Sequence, residues 1–189
     1  MKKFYFDYKS KFLHSLNILK YQNIFDSIYI LKNTINNNNK IFICGNGGSA
    51  AIASHFQSDF LKTIRLYSKS KVKPKIISLA SDISLITAIS NDIGYKDIFK
   101  FQLESLARKG DTLLCISSSG KSKNIVEAAI TAKKIGVNVV SLIGFSGKLA
   151  KQLKINSSKV IEVKSNNYQI IEDIHSYILH FMTYVLCEK

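Results

Sequence analysis

The chain has 189 residues, of which 46% are hydrophobic and 21% charged, a balance typical of one globular domain with one core. The mean hydropathy of +0.05 excludes wholesale disorder, and no apolar run approaches the ~20 residues that a membrane-spanning helix needs. Asp7, Lys9 and Lys11 interrupt the apolar residues near the N-terminus, which does not fit a signal peptide. We therefore expect a cytoplasmic protein with no membrane partner.

The net charge of +14 raises the question of a nucleic-acid partner. Arg65 and Arg108 are the only arginines, and the lysines are spread along the chain instead of forming one block. Because arginine is the residue best suited to bidentate contacts with phosphates and bases, we expect no nucleic-acid partner.

Cysteine use agrees with a reducing compartment. Cys44, Cys115 and Cys187 are an odd number, lie far apart and form no CxxC pair. Cys44 and Cys115 lie at or near the ends of apolar runs, so we expect them to be small buried residues.

The first 36 residues have a helical pattern. Apolar side chains at spacings of three and four predict one amphipathic helix over residues 4–20 and a second one over 24–35, which a run of asparagines ends. We expect a single domain over residues 1–189, with residues 1–36 as an N-terminal helical extension.

From residue 41 onwards, short apolar runs alternate with helical stretches. The runs are too continuous for strands with a solvent-facing side, which indicates a parallel sheet covered by helices on both faces. We therefore predict a three-layer α/β domain. The predicted strands are 41–44, 76–79, 113–116, 137–143 and 160–163. The predicted helices are 50–64, 83–90, 95–108, 123–135, 147–153 and 168–187.

The first unusual junction, residues 45–50 with the sequence GNGGSA, follows the strand that ends at Cys44. Its glycines let a ligand approach the backbone closely, and the next helix offers unpaired N–H groups to an anion. A dinucleotide site would also need an acidic residue about 20 positions later. The second strand ends near Leu79 with Asp82 beyond it, which is too late, so we expect no nucleotide cofactor.

The second junction, residues 117–122 with the sequence SSSGKS, also follows an apolar strand and opens a helix. It ends like a P-loop, but the first glycine of that motif would fall at Cys115. One serine would suffice to cap the helix. Four hydroxyls in six residues at a helix start therefore favour the binding of a single phosphate group.

Ionisable residues on two predicted helices form a third candidate group. His55 and Asp59 are four residues apart and project from one helix face. Glu172 and His180, on the last helix, are eight residues apart, which is about two turns. Two imidazoles and two carboxylates can bind a divalent metal such as zinc, or act as acid and base. His175 lies off this stripe, and we expect it to have a structural or subunit-contact role.

These motifs, in this order, resemble those of the phosphoheptose isomerases of the sugar isomerase (SIS) family. The resemblance covers nearly the whole chain, including the N-terminal helices. It is carried by the loop at 45–49, His55 with Asp59, the segment NDIGY at 91–95, Gly110-Asp111, the segment ISSSGKS at 116–122, and EDIH at 172–175 with His180.

The resemblance implies a flavodoxin-like sandwich around a five-stranded parallel sheet, assembled as a homotetramer with sites at subunit interfaces. It implies conversion of sedoheptulose 7-phosphate to D-glycero-D-manno-heptose 7-phosphate, for lipopolysaccharide or capsule synthesis. The residues it assigns to the phosphate are Ser117, Ser118, Ser119 and Ser122. Those it assigns to the sugar are Asn46, Gly47, Gly48, Asn91 and Asp92, and Ser49 and Glu172 complete the predicted substrate-binding set.

The resemblance also places His55, Asp59, Glu172 and His180 where the family keeps its zinc ligands and catalytic pair, with one zinc ion per subunit. Two positions depart from the family pattern, which has glutamate in place of Asp59 and glutamine in place of Glu172. Asp59 is one methylene shorter, and Glu172 adds a negative charge that would strengthen metal binding. The catalytic base is therefore expected to be either Asp59 or Glu172.

Aldose–ketose isomerisation moves one proton between C1 and C2 through an enediol and another between the two oxygens. We expect one of the two carboxylates to be the base and His180 to be the acid, while phosphate binding positions the sugar. Two alternatives stay open. One is a non-catalytic SIS protein that binds phosphosugars, like the one that associates with the bacterial replication initiator, and the other is an isomerase for a different phosphosugar.

Overall fold

A computed structural model describes residues 1–68, 73–144 and 150–188. Within them, five strands form one sheet in which every neighbouring pair is parallel, as predicted. The strand bounds differ from the predicted ones by at most about one residue. The strands are β1 (Lys40–Cys44), β2 (Lys75–Ser78), β3 (Thr112–Ser117), β4 (Asn138–Gly144) and β5 (Lys159–Val163).

The strand order is β2-β1-β3-β4-β5. The chain passes from β1 outwards to β2, and from β3 outwards to β4 and β5 in the opposite direction. Such a reversal leaves a crevice beyond the carboxyl ends of the two central strands, where open α/β sheets bind their ligands. Because Cys44 pairs with Cys115 in register, the loops that follow β1 and β3 start side by side.

The described residues also form helices at all the predicted places. The predicted helix 95–108 is a 3₁₀ turn at Tyr95–Asp97 followed by a shorter α-helix. Of the predicted helix 147–153, residues 147–149 lie outside the described residues. No helix in the described ranges is long and apolar enough to span a membrane. The helices are α1 (Lys2–Asn17), α2 (Tyr21–Asn36), α3 (Gly48–Tyr67), α4 (Ile83–Asp92), α5 (Ile98–Leu106), α6 (Lys123–Ile135), α7 (Lys151–Ile155) and α8 (Tyr168–Cys187).

Successive side chains of the central strands point to opposite faces of the sheet, so the hydrophobic core has two halves, one on each face. Ile41 and Ile43 of β1 pack with buried residues of α2, α3 and α8 on one face of the sheet. Phe42 and Cys44 pack with α4, α5, α6 and α7 on the other face. This confirms the three-layer sandwich. It also confirms the burial of Cys44 and Cys115, whose sulfur atoms are 3.9 Å apart.

The two N-terminal helices contact the rest of the domain differently. Helix α2 contributes Ile28 to the core that it shares with α3 and α8. Helix α1 lies further out, and its Phe4 is 76% exposed. The Tyr8 hydroxyl of α1 donates a 2.6 Å hydrogen bond to the Asp173 carboxylate of α8, and this bond raises the pKa of Tyr8 to about 12. The assignment of residues 1–36 as an extension of a single domain stays a prediction.

A buried aspartate ties together the starts of the two central strands. Asp111 is 2% exposed. Its Oδ1 accepts a 2.7 Å hydrogen bond from the Lys40 backbone N–H, and its Oδ2 accepts a 2.9 Å bond from the Arg108 N–H. Hydrogen bonds to a charged acceptor are stronger than neutral ones, so this side chain holds β1 against the entry of β3.

We predict that Asp111→Ala lowers the free energy of unfolding by about 2–4 kcal/mol, because two backbone donors lose a charged acceptor. Urea unfolding followed by circular dichroism measures the change. Asp82→Ala is the control, since it removes only the exposed acceptor for Leu85 N–H at the start of α4 and should cost about 1 kcal/mol. Equal losses in the two variants would contradict the role given to Asp111.

Candidate active site

A cavity of ≈ 170 Å³ opens at the carboxyl edge of the sheet, between the loops that follow β1 and β3. Its walls come from these two loops and from the start of α8. All of its lining residues except Ile116 and Tyr168 belong to the predicted substrate-binding set, whose binding role stays a prediction. The lining residues are Asn46, Ser49, Ile116, Ser117, Ser118, Ser119, Ser122, Tyr168 and Glu172.

In the serine loop, residues 117–122, the hydroxyls of Ser117 and Ser119 accept hydrogen bonds from backbone N–H groups of the loop, and the other two serines differ from them. Ser118 Oγ is buried and has no hydrogen-bond partner among the described residues. Ser122 occupies the N-cap position of α6, yet its side chain makes no capping hydrogen bond. A buried hydroxyl without a partner costs about 1–3 kcal/mol, which points to a ligand that supplies one. Helix capping therefore does not explain these serines, and the loop has the chemistry of an anion site.

The end of β4 brings this loop close to α8. A Cβ atom at Gly144 would collide with the backbone oxygen of Ser118 and would lie 2.7 Å from a methyl group of Ile171. Only a glycine allows so close an approach. The contact places Ser118 beside the helix that carries Glu172.

Glu172 enters the same cavity from the first turns of α8. Its carboxyl group lies against Gly48, the first residue of α3, where an added Cβ would overlap it. The N-terminal end of α3 carries a partial positive charge, which favours a carboxylate at this position. The cavity thus combines an anion-binding loop with a carboxyl group that can accept a proton.

His55 of α3 and His180 of α8 meet about two turns of helix, or ~12 Å, beyond Glu172. Their Nε2 atoms are 2.9 Å apart, and their rings are nearly perpendicular, at 85°. At this distance one imidazole donates its N–H to the other. Both side chains are exposed, and neither lines the cavity formed by the described residues.

Asp59 lies one turn further along α3. Its Oδ1 accepts a 2.8 Å hydrogen bond from the Thr63 hydroxyl. At the end of α8, burial and then the charges of Asp59 and Glu188 raise the pKa of the Cys187 thiol. Within one chain, Asp59 is therefore farther from the serine loop than Glu172 is.

The donor types of the predicted zinc ligands fit that metal, since two imidazoles and a carboxylate are common in zinc sites. His55 and His180 already face one another. Along the helices, Glu172 lies on one side of this pair and Asp59 lies on the other side. No group of three or more His, Cys, Asp and Glu side chains converges within the described ranges. A carboxylate would have to turn towards the histidines to join them.

Four predicted substrate-binding residues do not line the cavity that the described residues form, and one of them, Gly48, lies against the Glu172 carboxyl group. Gly47 is exposed, and so are Asn91 and Asp92 at the end of α4, where the Asn91 amide donates a 2.8 Å hydrogen bond to the Asp92 carboxylate. This segment is linked to the site through Tyr95, whose hydroxyl donates a 3.0 Å hydrogen bond to Asn46 Oδ1. The roles of these four residues stay predictions.

Tyr168 and Asn124 are polar residues of the site that sequence reasoning missed. Tyr168 begins α8 and lines the cavity. Asn124, which is 2% exposed in the first turn of α6, pairs its side-chain amide with that of Asn46. A polar residue two positions after the serine loop was a usable signal for Asn124, whereas an aromatic residue at a helix start is not distinctive.

His175 lies in the core next to this site. It is fully buried, and neither ring nitrogen has a hydrogen-bond partner of ordinary geometry among the described residues. Burial lowers its pKa to about 4, although the nearby backbone of Ile143 opposes the shift. The ring is therefore neutral at neutral pH. Its structural or subunit-contact role stays a prediction.

The fold and the serine-lined crevice together indicate one family of proteins, which a family model identifies. A family model described as the SIS domain matches residues 4–144. The chain belongs to this family, and the similar proteins below confirm the resemblance drawn from its motifs.

Within the family, this chain is similar to phosphoheptose isomerases. It is 39% identical over 162 residues to the phosphoheptose isomerase of Helicobacter pylori strain Shi470, an alignment that covers 86% of this chain and 79% of the relative. It is 36% identical over 175 residues to a probable phosphoheptose isomerase of Thermoplasma acidophilum, covering 93% and 91% of the two chains. The solved phosphoheptose isomerase of Neisseria gonorrhoeae superposes with a TM-score of 0.87 at 28% identity, covering 100% of this chain and 97% of that one.

We predict that His175 makes the fold sensitive to mild acid. Its pKa drops from 6.5 to about 4 on folding, so between these values the unfolded chain binds the proton more tightly. The stability due to neutral His175 is complete above pH 6.5 and is lost as the pH falls towards 4, a loss of about 3 kcal/mol. Urea unfolding from neutral to acidic pH measures it, and His175→Leu should lose less stability than the wild type.

His14→Leu is the matched control, because His14 is an exposed histidine on α1. This variant should retain the pH dependence of the wild type. If His175→Leu retained it too, another group would be responsible.

Proposed function

We propose that this protein is an aldose–ketose isomerase that converts sedoheptulose 7-phosphate to D-glycero-D-manno-heptose 7-phosphate. The observation that carries the proposal is the buried, unpartnered Ser118 hydroxyl, in a serine-lined cavity that also holds the Glu172 carboxyl group. A phosphate-binding loop and a candidate base thus share one cavity. The 39% identity to a phosphoheptose isomerase supports the choice of a seven-carbon sugar phosphate.

The serine loop would bind the phosphate group of the substrate. The hydroxyls of Ser118 and Ser122 would donate hydrogen bonds to it, and the N-terminal end of α6 would favour its charge. This end of the sugar does not react. Its binding energy would hold the reacting carbons in place at the other end.

The isomerisation requires one base that moves a proton between C1 and C2 and a second group that moves a proton between the oxygens of C1 and C2. The base takes a proton from C1 of the ketose, the C–H electrons form the C1–C2 double bond, and the C2 oxygen gains a proton to give the enediol. The proton then returns to C2, while the C1 hydroxyl loses its proton and becomes the aldehyde oxygen. No outside oxidant or reductant is needed.

Glu172 is the better placed of the two candidate bases. Its carboxyl group lies in the cavity with the serine loop, whereas Asp59 is hydrogen-bonded to Thr63 farther along α3. The negative charge that this chain has at position 172, where the family has glutamine, gives the cavity a group that can accept a proton.

His180 would move the proton between the two oxygens. A sugar whose phosphate lies at Ser118 can extend past Glu172 and along α8 towards this histidine. His55 would hold the His180 ring through the contact between their Nε2 atoms. In this contact one ring donates its N–H and the other accepts it. A group that moves a proton between two oxygens must be able to do both.

We also propose a zinc ion, held by His55 and His180 with Glu172 or Asp59. When bound, zinc would serve the sugar oxygens in place of proton transfer by His180, by polarising the carbonyl as a Lewis acid, because a metal-bound Nε2 carries no proton. The protein's own part would be to hold the two imidazoles in one orientation and to provide the carboxylate. The facing Nε2 atoms support this proposal.

A homotetramer with its sites at subunit interfaces belongs to the same proposal. Large apolar side chains on the N-terminal helices, including Phe4, Tyr21 and Tyr29, are more than half exposed and support self-association. A neighbouring copy would then cover the exposed histidines. We place the enzyme in the cytoplasm, where it would supply heptose for lipopolysaccharide or capsule synthesis.

One observation favours a second candidate function. Asp59 is hydrogen-bonded to Thr63, and His55 and His180 are exposed, so three of the four predicted catalytic or metal-binding residues do not line the cavity that the described residues form. A protein of this kind would bind a phosphosugar without converting it. Turnover of sedoheptulose 7-phosphate by purified protein, followed by NMR, separates the two functions.

We predict that Glu172→Gln lowers kcat at least about 100-fold, because a neutral amide cannot accept the C1 proton. Binding of sedoheptulose 7-phosphate, measured by calorimetry, should persist because the serine loop is intact. Asp59→Asn should have a much smaller effect. The reverse result, with Glu172→Gln active and Asp59→Asn inactive, would assign the base to Asp59.

Asp173→Asn is the control for these variants. Asp173 is the next carboxylate on α8, but it is exposed and bonds Tyr8 instead of lining the cavity. Its loss should leave kcat unchanged. If neither Glu172→Gln nor Asp59→Asn lowered kcat more than this control, the proposed base would be refuted.

We predict that the wild type retains about one zinc ion per chain after dialysis and that His55→Ala and His180→Ala do not, because each removes one imidazole ligand. Metal analysis of the purified chain measures this without reference to activity. His14→Ala, at an exposed histidine outside the site, should retain the wild-type metal content. Unchanged zinc in all three variants would place the metal elsewhere.

A further inference from the structure

An amide pair joins the two ligand-facing loops of the site. Asn124 Nδ2 donates a 2.8 Å hydrogen bond to Asn46 Oδ1, and Asn46 Nδ2 donates a 2.9 Å bond back to Asn124 Oδ1. Asn46 lines the cavity. Asn124 lies behind it, 2% exposed, in the first turn of α6.

A backbone group fixes the direction of this pair. The N–H of Ile125 donates a 3.0 Å hydrogen bond to Asn124 Oδ1. Because a backbone N–H can only donate, the side-chain oxygen of Asn124 must lie on that side, and its Nδ2 must be the group that approaches Asn46. Asn46 must then turn its own oxygen towards Asn124.

Tyr95 adds a second donor to the same oxygen. Its hydroxyl donates a 3.0 Å hydrogen bond to Asn46 Oδ1. An amide oxygen has two lone pairs, so both acceptor positions of Asn46 are taken. The group of the Asn46 side chain that remains for a ligand is one N–H of Nδ2, which is a hydrogen-bond donor.

We infer that Asn124 and Tyr95 are positioning residues, which hold Asn46 so that it presents a hydrogen-bond donor to a sugar oxygen in the cavity. The inference rests on the proposed function, since it takes a phosphosugar as the occupant. Neither residue would touch the reacting atoms, and both would act through Asn46. An unrestrained amide would present its oxygen as readily as its nitrogen, so the fixed orientation spares ordering entropy when the sugar binds.

A double-mutant cycle tests the inference. Asn124→Leu preserves the side-chain volume and removes the amide pair, while the Ile125 N–H retains a second acceptor in the Ser122 carbonyl at 3.1 Å. It should lower kcat/KM for sedoheptulose 7-phosphate about tenfold, and Tyr95→Phe should lower it about fivefold. Combined with Asn46→Ala, each should lower kcat/KM less than about twofold further, because the residue through which it acts is gone. Full effects in the Asn46→Ala background would overturn the inference.

Gln102→Leu is the matched structural control. Gln102 is also a buried amide, 5% exposed, and donates from Nε2 to the Leu79 and Ile98 carbonyls away from the cavity. Its loss should lower Tm and leave kcat/KM unchanged. An equal fall in kcat/KM would mean that Asn124→Leu acts through stability alone. Tyr95 is exposed, so Tyr95→Phe tests the inference even if Asn124→Leu fails to fold.

Binding of inorganic phosphate separates this inference from the proposed function. Both positioning variants should bind phosphate like the wild type, because the serine loop is unchanged, but should bind the sugar phosphate more weakly. A wild-type chain that binds phosphate and never converts sedoheptulose 7-phosphate overturns the proposed isomerase. A wild-type chain that converts it, with variants that match its kcat/KM, overturns only the positioning role.

Discussion

Strands β1 and β3 lie side by side at the centre of the sheet, and the chain leaves them towards opposite edges. No helix can then cross the space between their carboxyl ends, so this space stays open to a ligand. The GNGGS loop and the serine loop start from neighbouring positions because Cys44 and Cys115 pair in register. The cavity, the amide pair and the approach of α8 all depend on this pairing, and the buried Asp111 carboxylate holds it at its other end.

The same topology aligns the two helices that carry the ionisable residues. Helices α3 and α8 each follow a strand of a parallel sheet, so both begin at the carboxyl edge and run in the same direction. Contacts between them therefore recur at a nearly constant offset: Gly48 meets Glu172, and His55 meets His180. This seam continues from the cavity along the surface to the two histidines.

The net charge of the whole protein is strongly positive, whereas most of the described residues that line the cavity are neutral. The whole chain carries +14, and such a field can draw anionic metabolites towards it. The described residues that line the cavity supply hydroxyls, an amide and one carboxyl group, and none of these described residues is a lysine or an arginine. Neutral donors at a helix end bind a phosphate group without a fixed counter-ion.

The positions of the strands along the chain followed from the apolar runs, and the two candidate anion-binding loops followed from glycines and serines at the ends of strands. These are local properties: each is set by backbone preferences and hydrogen bonds within a few residues, so the chain carries them wherever it folds. The pairing of Asn46 with Asn124 and with Tyr95 joins residues 78 and 49 positions apart, and no periodicity signals such a contact. The sequence also left open whether Asp59 or Glu172 faces the serine loop. Both carboxylates lie at helical spacing from a histidine on the same helix. Only the packing of α3 against α8 on the finished sheet decided it, because distances between elements depend on strand order and side-chain volume across the whole core.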